Sequence, residues 1–179
     1  MAQHEKWFIS DTHFFHTNIL KFVDGNGVRI RQFASLDDMH NTIIRNWNSV
    51  VGVNDYVYHL GDVTFQYHKP FQSIMYCLNG DKRLIVGNHD KLKQEGLLKH
   101  FSKVMYWHGF KEENFTATHF PHRLDKLRDG TFNVHGHTHN NDEEDLHYIN
   151  VSVEAINYKP VNMDWIRKEI NERNRKLNT

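Results

Sequence analysis

Five short clusters of polar residues in the sequence carry side chains that bind metal ions or transfer protons. Each cluster supplies a carboxylate, an amide oxygen or an imidazole, and the whole chain has 15 His against 10 Gly. In chain order the clusters are Asp11-Thr12-His13, Gly61-Asp62, Gly87-Asn88-His89-Asp90, His119 and Gly136-His137-Thr138-His139. Neutral imidazole is the commonest protein ligand for metals and titrates near physiological pH. The clusters therefore indicate metal binding or acid–base chemistry.

Short apolar runs precede these clusters and predict β-strands that end where the polar residues begin. The predicted strands are Trp7–Ile9, Asp55–Leu60, Arg83–Val86, Val104–Trp107, Phe115–Thr118, Thr131–Val134 and Tyr148–Val153. In open α/β sheets, ligands bind in the crevice beyond the carboxyl ends of the strands. We therefore expect the five clusters to meet in one crevice.

Helical periodicity separates the early strands and returns at the end of the chain. Ser35 followed by Asp38 is a capping pattern, and apolar residues at helical spacing follow it as far as Trp47. Pro70 begins a second predicted helix, a third covers residues 91–100, and a fourth covers about 161–177. Alternating strands and helices followed by a strand-rich half indicate an α/β protein with mixed sheets.

Length and composition predict one folded domain that spans residues 1–179. Apolar residues make up 39% of the chain and charged residues 25%, which allows a core and excludes the composition of a disordered protein. Lys plus Arg number 22, and Asp plus Glu also number 22. This zero net charge argues against strong binding to long nucleic acids, which generally requires a basic surface.

The sequence also predicts where the protein works. Its single Cys cannot form an internal disulfide, and the start MAQHEKWFISD lacks the apolar run of a signal peptide. No segment approaches the ~20 apolar residues that a membrane-spanning helix needs. We expect a cytoplasmic protein that does not bind membranes.

The five clusters, in this order, resemble the signature blocks of the calcineurin-like metallophosphoesterases, which are DxH, GD, GNH[DE], H and GHxH. The resemblance extends from Asp11 to His139, and the string SDTHFFHTNI is similar to a small bacterial and phage branch of that family. It implies an α/β fold of two packed mixed β-sheets flanked by helices, arranged as a four-layer α/β/β/α sandwich. This expectation agrees with the pattern of strands and helices.

The resemblance further implies that the cofactors are two divalent metal ions. Asp62 would bridge both ions. The ligands of one ion would be Asp11, His13 and His139, and those of the other Asn88, His119 and His137. If the segment from Asp11 to His13 is extended, the i, i+2 spacing places both side chains on one face. Nitrogen and oxygen ligands without sulfur favour Mn, Fe, Zn, Co or Ni, and we expect Mn²⁺.

The activity implied is hydrolysis of a phosphomonoester or phosphodiester by attack of a metal-bound hydroxide at phosphorus. The resemblance places His89 beside the leaving-group oxygen as a general acid, and we expect Asp90 to orient its ring. His16, His122 and Arg123 are candidate contacts for the substrate phosphate, for which the Arg fork is well suited.

The short chain leaves little room for accessory domains, so a small phosphate ester, such as a nucleotide or a cyclic nucleotide, is the expected substrate. Two alternatives differ in class. A non-catalytic metal-binding scaffold of the same fold conflicts with the presence of His89. A nuclease acting on polymeric nucleic acid conflicts with the neutral net charge. The sequence leaves open whether the chain forms a homodimer.

Overall fold

The computed structural model describes residues 4–123, 125, 130–141 and 143–179. Its β-strands are β1 (Lys6–Ile9), β2 (Tyr56–His59), β3 (Asp81–Ile85), β4 (Lys103–Met105), β5 (Trp107–Phe110), β6 (Phe115–Thr118), β7 (Phe132–His135), β8 (Tyr148–Asn150) and β9 (Val161–Asn162). Its α-helices are α1 (Leu36–Asn48), α2 (Lys69–Cys77), α3 (Glu95–Leu98) and α4 (Met163–Leu177). Two 3₁₀ helices cover Thr17–Lys21 and Lys111–Glu113.

The strands form two mixed sheets. The first has the order β4-β3-β2-β1-β9, in which β1 to β4 are parallel and β9 is antiparallel to β1. The second has the order β5-β6-β7-β8, in which only β5 is antiparallel to its neighbour. Parallel neighbours need crossover connections. Helix α1 supplies the connection between β1 and β2, and α2 the one between β2 and β3.

Aromatic side chains join the two sheets face to face. Phe8 of β1 lies against Phe110 and Phe115 of the second sheet, with ring centroids 5.3 and 5.7 Å apart. Tyr58 of β2 also contacts Phe110, at 5.0 Å. All four side chains are buried. Since burying one Phe contributes about 2–3 kcal/mol, this contact is a main source of stability between the sheets.

Helices flank the sheets, as the sequence predicts. Helix α1 begins where Ser35 Oγ accepts a hydrogen bond from the Asp38 amide at 3.1 Å, and its buried face includes Trp47. Helix α4 buries three apolar residues, and its Arg173 donates to the Tyr148 carbonyl of β8 at 2.7 Å. The expectation of two mixed sheets with flanking helices is confirmed. Among the described residues, no helix has the length and apolar character needed to cross a membrane.

Three predicted elements differ from the structure. The strand predicted at Val104–Trp107 is two strands, because the chain leaves the first sheet after Met105 and enters the second at Trp107. The exposed Tyr106 marks this change of sheet. The helix predicted over residues 91–100 is only the short α3. The C-terminal helix begins at Met163, because residues 161–162 pair with β1 as β9.

The carboxyl ends of the two sheets meet beside Ser10. The Ser10 amide donates to the Val151 carbonyl at 2.9 Å, and the Val153 amide donates to the Ser10 carbonyl at 3.1 Å. Ser10 follows β1 of the first sheet, and residues 151–153 follow β8 of the second. The loops that leave both sheets therefore lie at one edge of the molecule.

Candidate metal centre

All five polar clusters lie in loops that follow strands at this shared edge. The clusters after β1, β2 and β3 come from the first sheet, and those after β6 and β7 come from the second. The backbone ties neighbouring loops together. The Asp11 amide donates to the Gly61 carbonyl, and the His13 amide donates to the Asp62 carbonyl, both at 3.0 Å. These contacts place the clusters after β1 and β2 side by side.

Left-handed backbone conformations are concentrated at these loops. The φ angles are +58° at Asp11, +46° at His13, +56° at Asp62, +69° at His137 and +54° at His139. A positive φ is uncommon in residues other than Gly, and each instance costs on the order of 1–3 kcal/mol. Such strain persists where the surrounding contacts fix the backbone, and it is typical of functional sites.

The condition that the segment from Asp11 to His13 is extended is not met in the structure. Asp11 and His13 both adopt positive φ, so the i, i+2 rule for strands does not apply. The intervening Thr12 is anchored in the core, where its hydroxyl donates to the Val63 carbonyl at 2.9 Å. The two side chains nevertheless approach each other, with His13 Nε2 at 3.6 Å from Asp11 Oδ1.

Asp11, His13 and His139 form the first ligand group, in which one ligand atom from each lies within 4.8 Å of the others. Asp11 Oδ2 accepts hydrogen bonds from the His137 amide at 2.8 Å and the Ser152 hydroxyl at 3.1 Å. Among the described residues, Asp11 Oδ1 and both ring nitrogens of His13 are buried without a hydrogen-bond partner. Unpartnered buried polar atoms are costly, so this arrangement fits a bound cation.

Asp62, His119 and His137 form the second ligand group, which meets the same 4.8 Å criterion. His119 Nδ1 lies 2.7 Å from the Leu60 carbonyl and donates to it. This bond leaves Nε2 facing two oxygens, Asn88 Oδ1 at 2.9 Å and Asp62 Oδ2 at 3.5 Å. A ring proton can occupy this position in the metal-free protein, and a cation bound by Nε2 and the two oxygens can replace it.

One oxygen of Asp62 faces both groups. Asp62 Oδ2 lies 3.7 Å from His13 Nε2 of the first group and 3.5 Å from His119 Nε2 of the second. Asp62 Oδ1 accepts from the His89 amide at 2.8 Å. This position fits the bridging role expected from the sequence.

The charges of the site stabilise its carboxylates in the ionised form. Burial would raise the pKa of Asp11, but the neighbouring rings of His13, His119 and His139 hold it well below its usual value. Burial likewise opposes ionisation of Asp62, whereas the His119 ring lowers its pKa. For His119 burial acts to lower the pKa, but Asp62 and Asp11 outweigh burial and raise it. Two anionic carboxylates are therefore present at neutral pH.

Two buried residues behind the first ligand group escaped the sequence analysis. Glu154 Oε1 lies 2.9 Å from His139 Nδ1 and 2.7 Å from Arg31 Nε. Neither residue belongs to a polar cluster. The sequence holds one signal for Glu154, which is its position directly after the predicted strand that ends at Val153. A charged residue is rarely buried beside a core strand unless it has a partner.

The structure places the predicted acid, His89, at the open side of the centre. Its side chain is 45% exposed, and its Nε2 lies 4.0 Å from Asp62 Oδ2. The expected orienting contact from Asp90 is not formed. The buried Asp90 carboxylate instead accepts from the amides of Asp62, Val63 and Gly87, each at 2.9 Å. Asp90 therefore links the two loops and does not orient the His89 ring.

The three predicted phosphate contacts lie in different environments. The His16 ring stacks on Phe65 at 3.9 Å and lies 5.4 Å from the His13 ring. Arg123 is 79% exposed and pairs with Asp125 through Nε and Nη2, so its fork is already engaged. His122 is exposed, and its backbone amide donates to Asn133 Oδ1. Of the three, His16 has a described ring contact with a ligand group.

Two partly exposed Phe residues flank the candidate centre, and the sequence analysis did not single them out. Phe65 is 37% exposed, and its ring centroid lies 4.8 Å from that of His89. Phe120 is 48% exposed and lies 4.5 Å from the His137 ring. Apolar rings therefore border the site on the His89 side and on the His137 side.

Comparisons with known proteins agree with the geometry. The family model described as calcineurin-like phosphoesterase matches residues 6–178. An uncharacterized protein of Methanocaldococcus jannaschii is 36% identical, over 95% of this chain and 93% of its own length. The gene 66 protein of Mycobacterium phage L5 is 30% identical, over 74% of this chain and 76% of its own. The crystal structure of a protein of unknown function from Aquifex aeolicus has a TM-score of 0.74 and 28% identity, and the match covers 93% of this chain and 99% of that one.

Proposed function

This chain belongs to the calcineurin-like phosphoesterase family, and we propose that it is a binuclear metal-dependent hydrolase of phosphomonoesters or phosphodiesters. The observation that carries the proposal is the pair of ligand groups with Asp62 Oδ2 facing both of them. The unpartnered buried atoms of Asp11 and His13 support it. Each unpartnered atom costs stability, and a cation bound between Asp11 and His13 would supply the missing partner.

The proposed ligands are divided between two ions. The first ligand group would hold one ion, and the second ligand group together with Asn88 would hold the other, with Asp62 between them. The donors are all nitrogen or oxygen, and we infer that Mn²⁺ is the natural metal, with Fe, Zn, Co or Ni as the alternatives. Two bound divalent cations would lower the pKa of water and neutralise charge on the phosphoryl oxygens.

Protonation of the leaving group would be carried out by a side chain of the protein. We assign His89 as the general acid, because its exposed ring sits next to Asp62 at the open side of the site. A proton held on His89 Nε2 would be donated to the leaving-group oxygen as the ester bond breaks. Asp90 would act indirectly, because it fixes the loops that carry His89 and Asp62.

We propose that the substrate is a small nucleotide-like ester. The exposed rings of Phe65 and Phe120 at the borders of the site support this class, since an aromatic ring can stack on a nucleobase. The ring of His16, one of the proposed phosphate contacts, lies 5.4 Å from the ring of His13, whereas Arg123 would first have to leave Asp125. A cytoplasmic location stays a prediction.

Metal analysis combined with a hydrolysis assay tests the proposed function. Purified protein is assayed for bound metal and for turnover of p-nitrophenyl phosphate and bis-p-nitrophenyl phosphate, with and without Mn²⁺. His89→Ala is expected to keep both metals and to lose about 10²- to 10⁴-fold in turnover. Wild-type protein that carries no bound metal, even after addition of Mn²⁺, would refute the binuclear centre. A fully active His89→Ala variant would refute the assignment of the acid.

A substrate panel tests the nucleotide class. Phe65→Ala and Phe120→Ala are expected to raise KM for nucleotides and cyclic nucleotides while leaving KM for a small alkyl phosphate unchanged. Stacking on one base is worth ~1–3 kcal/mol, so the expected rise in KM is roughly 5- to 150-fold. Equal effects on both substrate types would show that the rings shape the site and do not recognise a base.

A further inference from the structure

A buried ion pair lies directly behind the first ligand group. The Arg31 side chain is 0% exposed and that of Glu154 is 3% exposed, and Arg31 Nε is 2.7 Å from Glu154 Oε1. Arg31 comes from the loop before α1, and Glu154 comes from the segment that follows β8. Removing both charges from water is expensive, and such a pair persists only when its geometry and its further hydrogen bonds are favourable.

The further hydrogen bonds of Arg31 go to the backbone that carries Asp11. Arg31 Nη2 donates to the Asp11 carbonyl at 2.6 Å, and Nη1 donates to the Thr12 carbonyl at 3.1 Å. The guanidinium is a rigid planar fork, so three bonds of this kind fix the loop relative to Glu154. Asp11 needs such support because its backbone is left-handed, with φ of +58°.

Glu154 completes the connection on the opposite side of the group. Its Oε1 accepts a hydrogen bond from His139 Nδ1 at 2.9 Å. A carboxylate on one ring nitrogen fixes the tautomer and the direction of the imidazole, which leaves Nε2 free for a metal. The pair thus contacts Asp11 through its backbone and His139 through its ring, and both belong to the first ligand group.

The second ligand group is supported by other contacts. His119 is oriented by the Leu60 carbonyl at 2.7 Å, and Asp62 is held by the His89 amide at 2.8 Å. We propose that Arg31 and Glu154 are positioning residues for the first ligand group, and that they set its affinity for a divalent cation independently of the second. This inference rests on the proposed metal centre.

Titration of the metal-free protein with Mn²⁺ tests the inference without any assay of activity. Arg31→Lys keeps the charge but loses the fork. One of the two binding steps is expected to weaken by about 10- to 100-fold, the usual effect of losing an outer-shell partner, while the other step is unchanged. The electron paramagnetic resonance signal of a coupled Mn²⁺ pair should give way to that of an isolated ion at limiting Mn²⁺.

Arg173→Lys is the matched control. Arg173 also donates to a backbone carbonyl, that of Tyr148, and approaches Glu169 at 3.3 Å, but it lies in α4. Its replacement should leave both binding steps intact. Circular dichroism spectra and melting curves recorded with chelator present establish that each variant is folded.

Combined variants identify which ion is lost. Arg31→Lys together with His119→Asn should weaken the remaining ion, whereas Arg31→Lys together with His139→Asn should bind Mn²⁺ like His139→Asn alone. Glu154→Gln, which keeps an acceptor for His139 but not the charge, should retain more affinity than Glu154→Ala. This second series covers the case in which Arg31→Lys does not fold.

Three results would overturn the inference. Equal weakening of both binding steps in Arg31→Lys would indicate a purely structural pair, and so would weakening that only parallels the loss of thermal stability. Unchanged binding in folded Arg31→Lys and Glu154→Ala would show that the pair has no influence on the site. A wild-type protein that carries no metal, even after addition of Mn²⁺, is a different result, because it refutes the metal centre itself.

Discussion

The individual ligand residues adopt backbone conformations that the fold must impose on them. Asp11 and His13 both have positive φ, as do His137 and His139. Each such residue costs on the order of 1–3 kcal/mol, although Asp and His adopt positive φ more readily than most residues do. Hydrogen bonds from neighbouring loops offset this cost, as when the His137 amide donates to Asp11 Oδ2 at 2.8 Å. The side chains are therefore held in place before a cation binds, which reduces the entropy lost on binding.

Asp62→Asn provides the sharpest test at this scale. The substitution keeps the shape of the side chain but removes the negative charge that faces both groups. We expect both Mn²⁺ ions to bind more weakly, by more than the ~10- to 100-fold typical of an outer-shell change. Metal content after dialysis measures the effect. Retention of two ions per chain at wild-type affinity would contradict the bridging position.

At the scale of elements, the loop after β3 is fastened to the loop after β2. The Asp90 carboxylate accepts from the amides of Asp62 and Val63 across this junction and from Gly87 in its own loop. A Cβ on Gly87 would collide with Asp62, so the loops touch without an intervening side chain. This close approach explains why Gly precedes Asn88 in the motif.

Asp90→Asn is expected to destabilise the metal-free protein by about 1–3 kcal/mol. The Asn side chain has an NH₂ group, a hydrogen-bond donor, in place of one carboxylate oxygen. At least one backbone N–H that donates to Asp90 would therefore lose its acceptor and face another donor. Urea unfolding in the presence of chelator measures the change. Asp81→Asn in the neighbouring β3 is the control, because that side chain is 38% exposed and its replacement should cost less than about 0.5 kcal/mol. Equal stability of the two variants would refute the fastening role.

The elements and ligand clusters could be predicted from the sequence because their signals are local. The run Phe115–Thr118 predicts β6 with its observed ends, and the two-residue spacing in the cluster at His137 needs no distant information. The pairing of Arg31 with Glu154 spans 123 positions, so no local pattern reveals it. The change of sheet at Tyr106 was missed for a similar reason, since no Gly or Pro marks it.

For the molecule as a whole, each ligand group draws on both sheets. The first combines Asp11 and His13, which follow β1, with His139, which follows β7. The second combines Asp62, which follows β2 of the first sheet, with His119 and His137, which follow β6 and β7 of the second. A cation in either group would link the sheets. Because the unfolded chain does not hold these ligands together, the cation would bind the native state selectively and stabilise it by about 2.7 kcal/mol at a concentration 100 times its Kd.

Acid should destabilise the metal-free protein through the buried His59. Its Nε2 donates to Thr12 Oγ1 at 3.0 Å, and burial lowers the pKa of the ring to about 3. In the unfolded chain the pKa returns to ~6.5. Between these values the unfolded state binds one more proton, so this group lowers the free energy of unfolding as the pH falls below ~6.5.

The slope from this one group approaches ~1.4 kcal/mol per pH unit. Urea unfolding with chelator at several pH values from about 7 to 5 measures it. His59→Gln retains a donor for Thr12 but does not titrate, so its profile should be flatter by this amount. Parallel profiles for the two proteins would show that His59 is not the acid-sensitive group.

The residues that complete the ligand groups lie far apart along the chain, so a ribosome synthesises them at different times. Asp11 receives its hydrogen bonds from His137 and Ser152, which lie 126 and 141 positions further along the chain. A ribosome must therefore synthesise most of the chain before the first ligand acquires its partners. A nascent chain halted before His137 completes neither ligand group, so the proposed metal centre would take up its ions only after most of the chain has been synthesised.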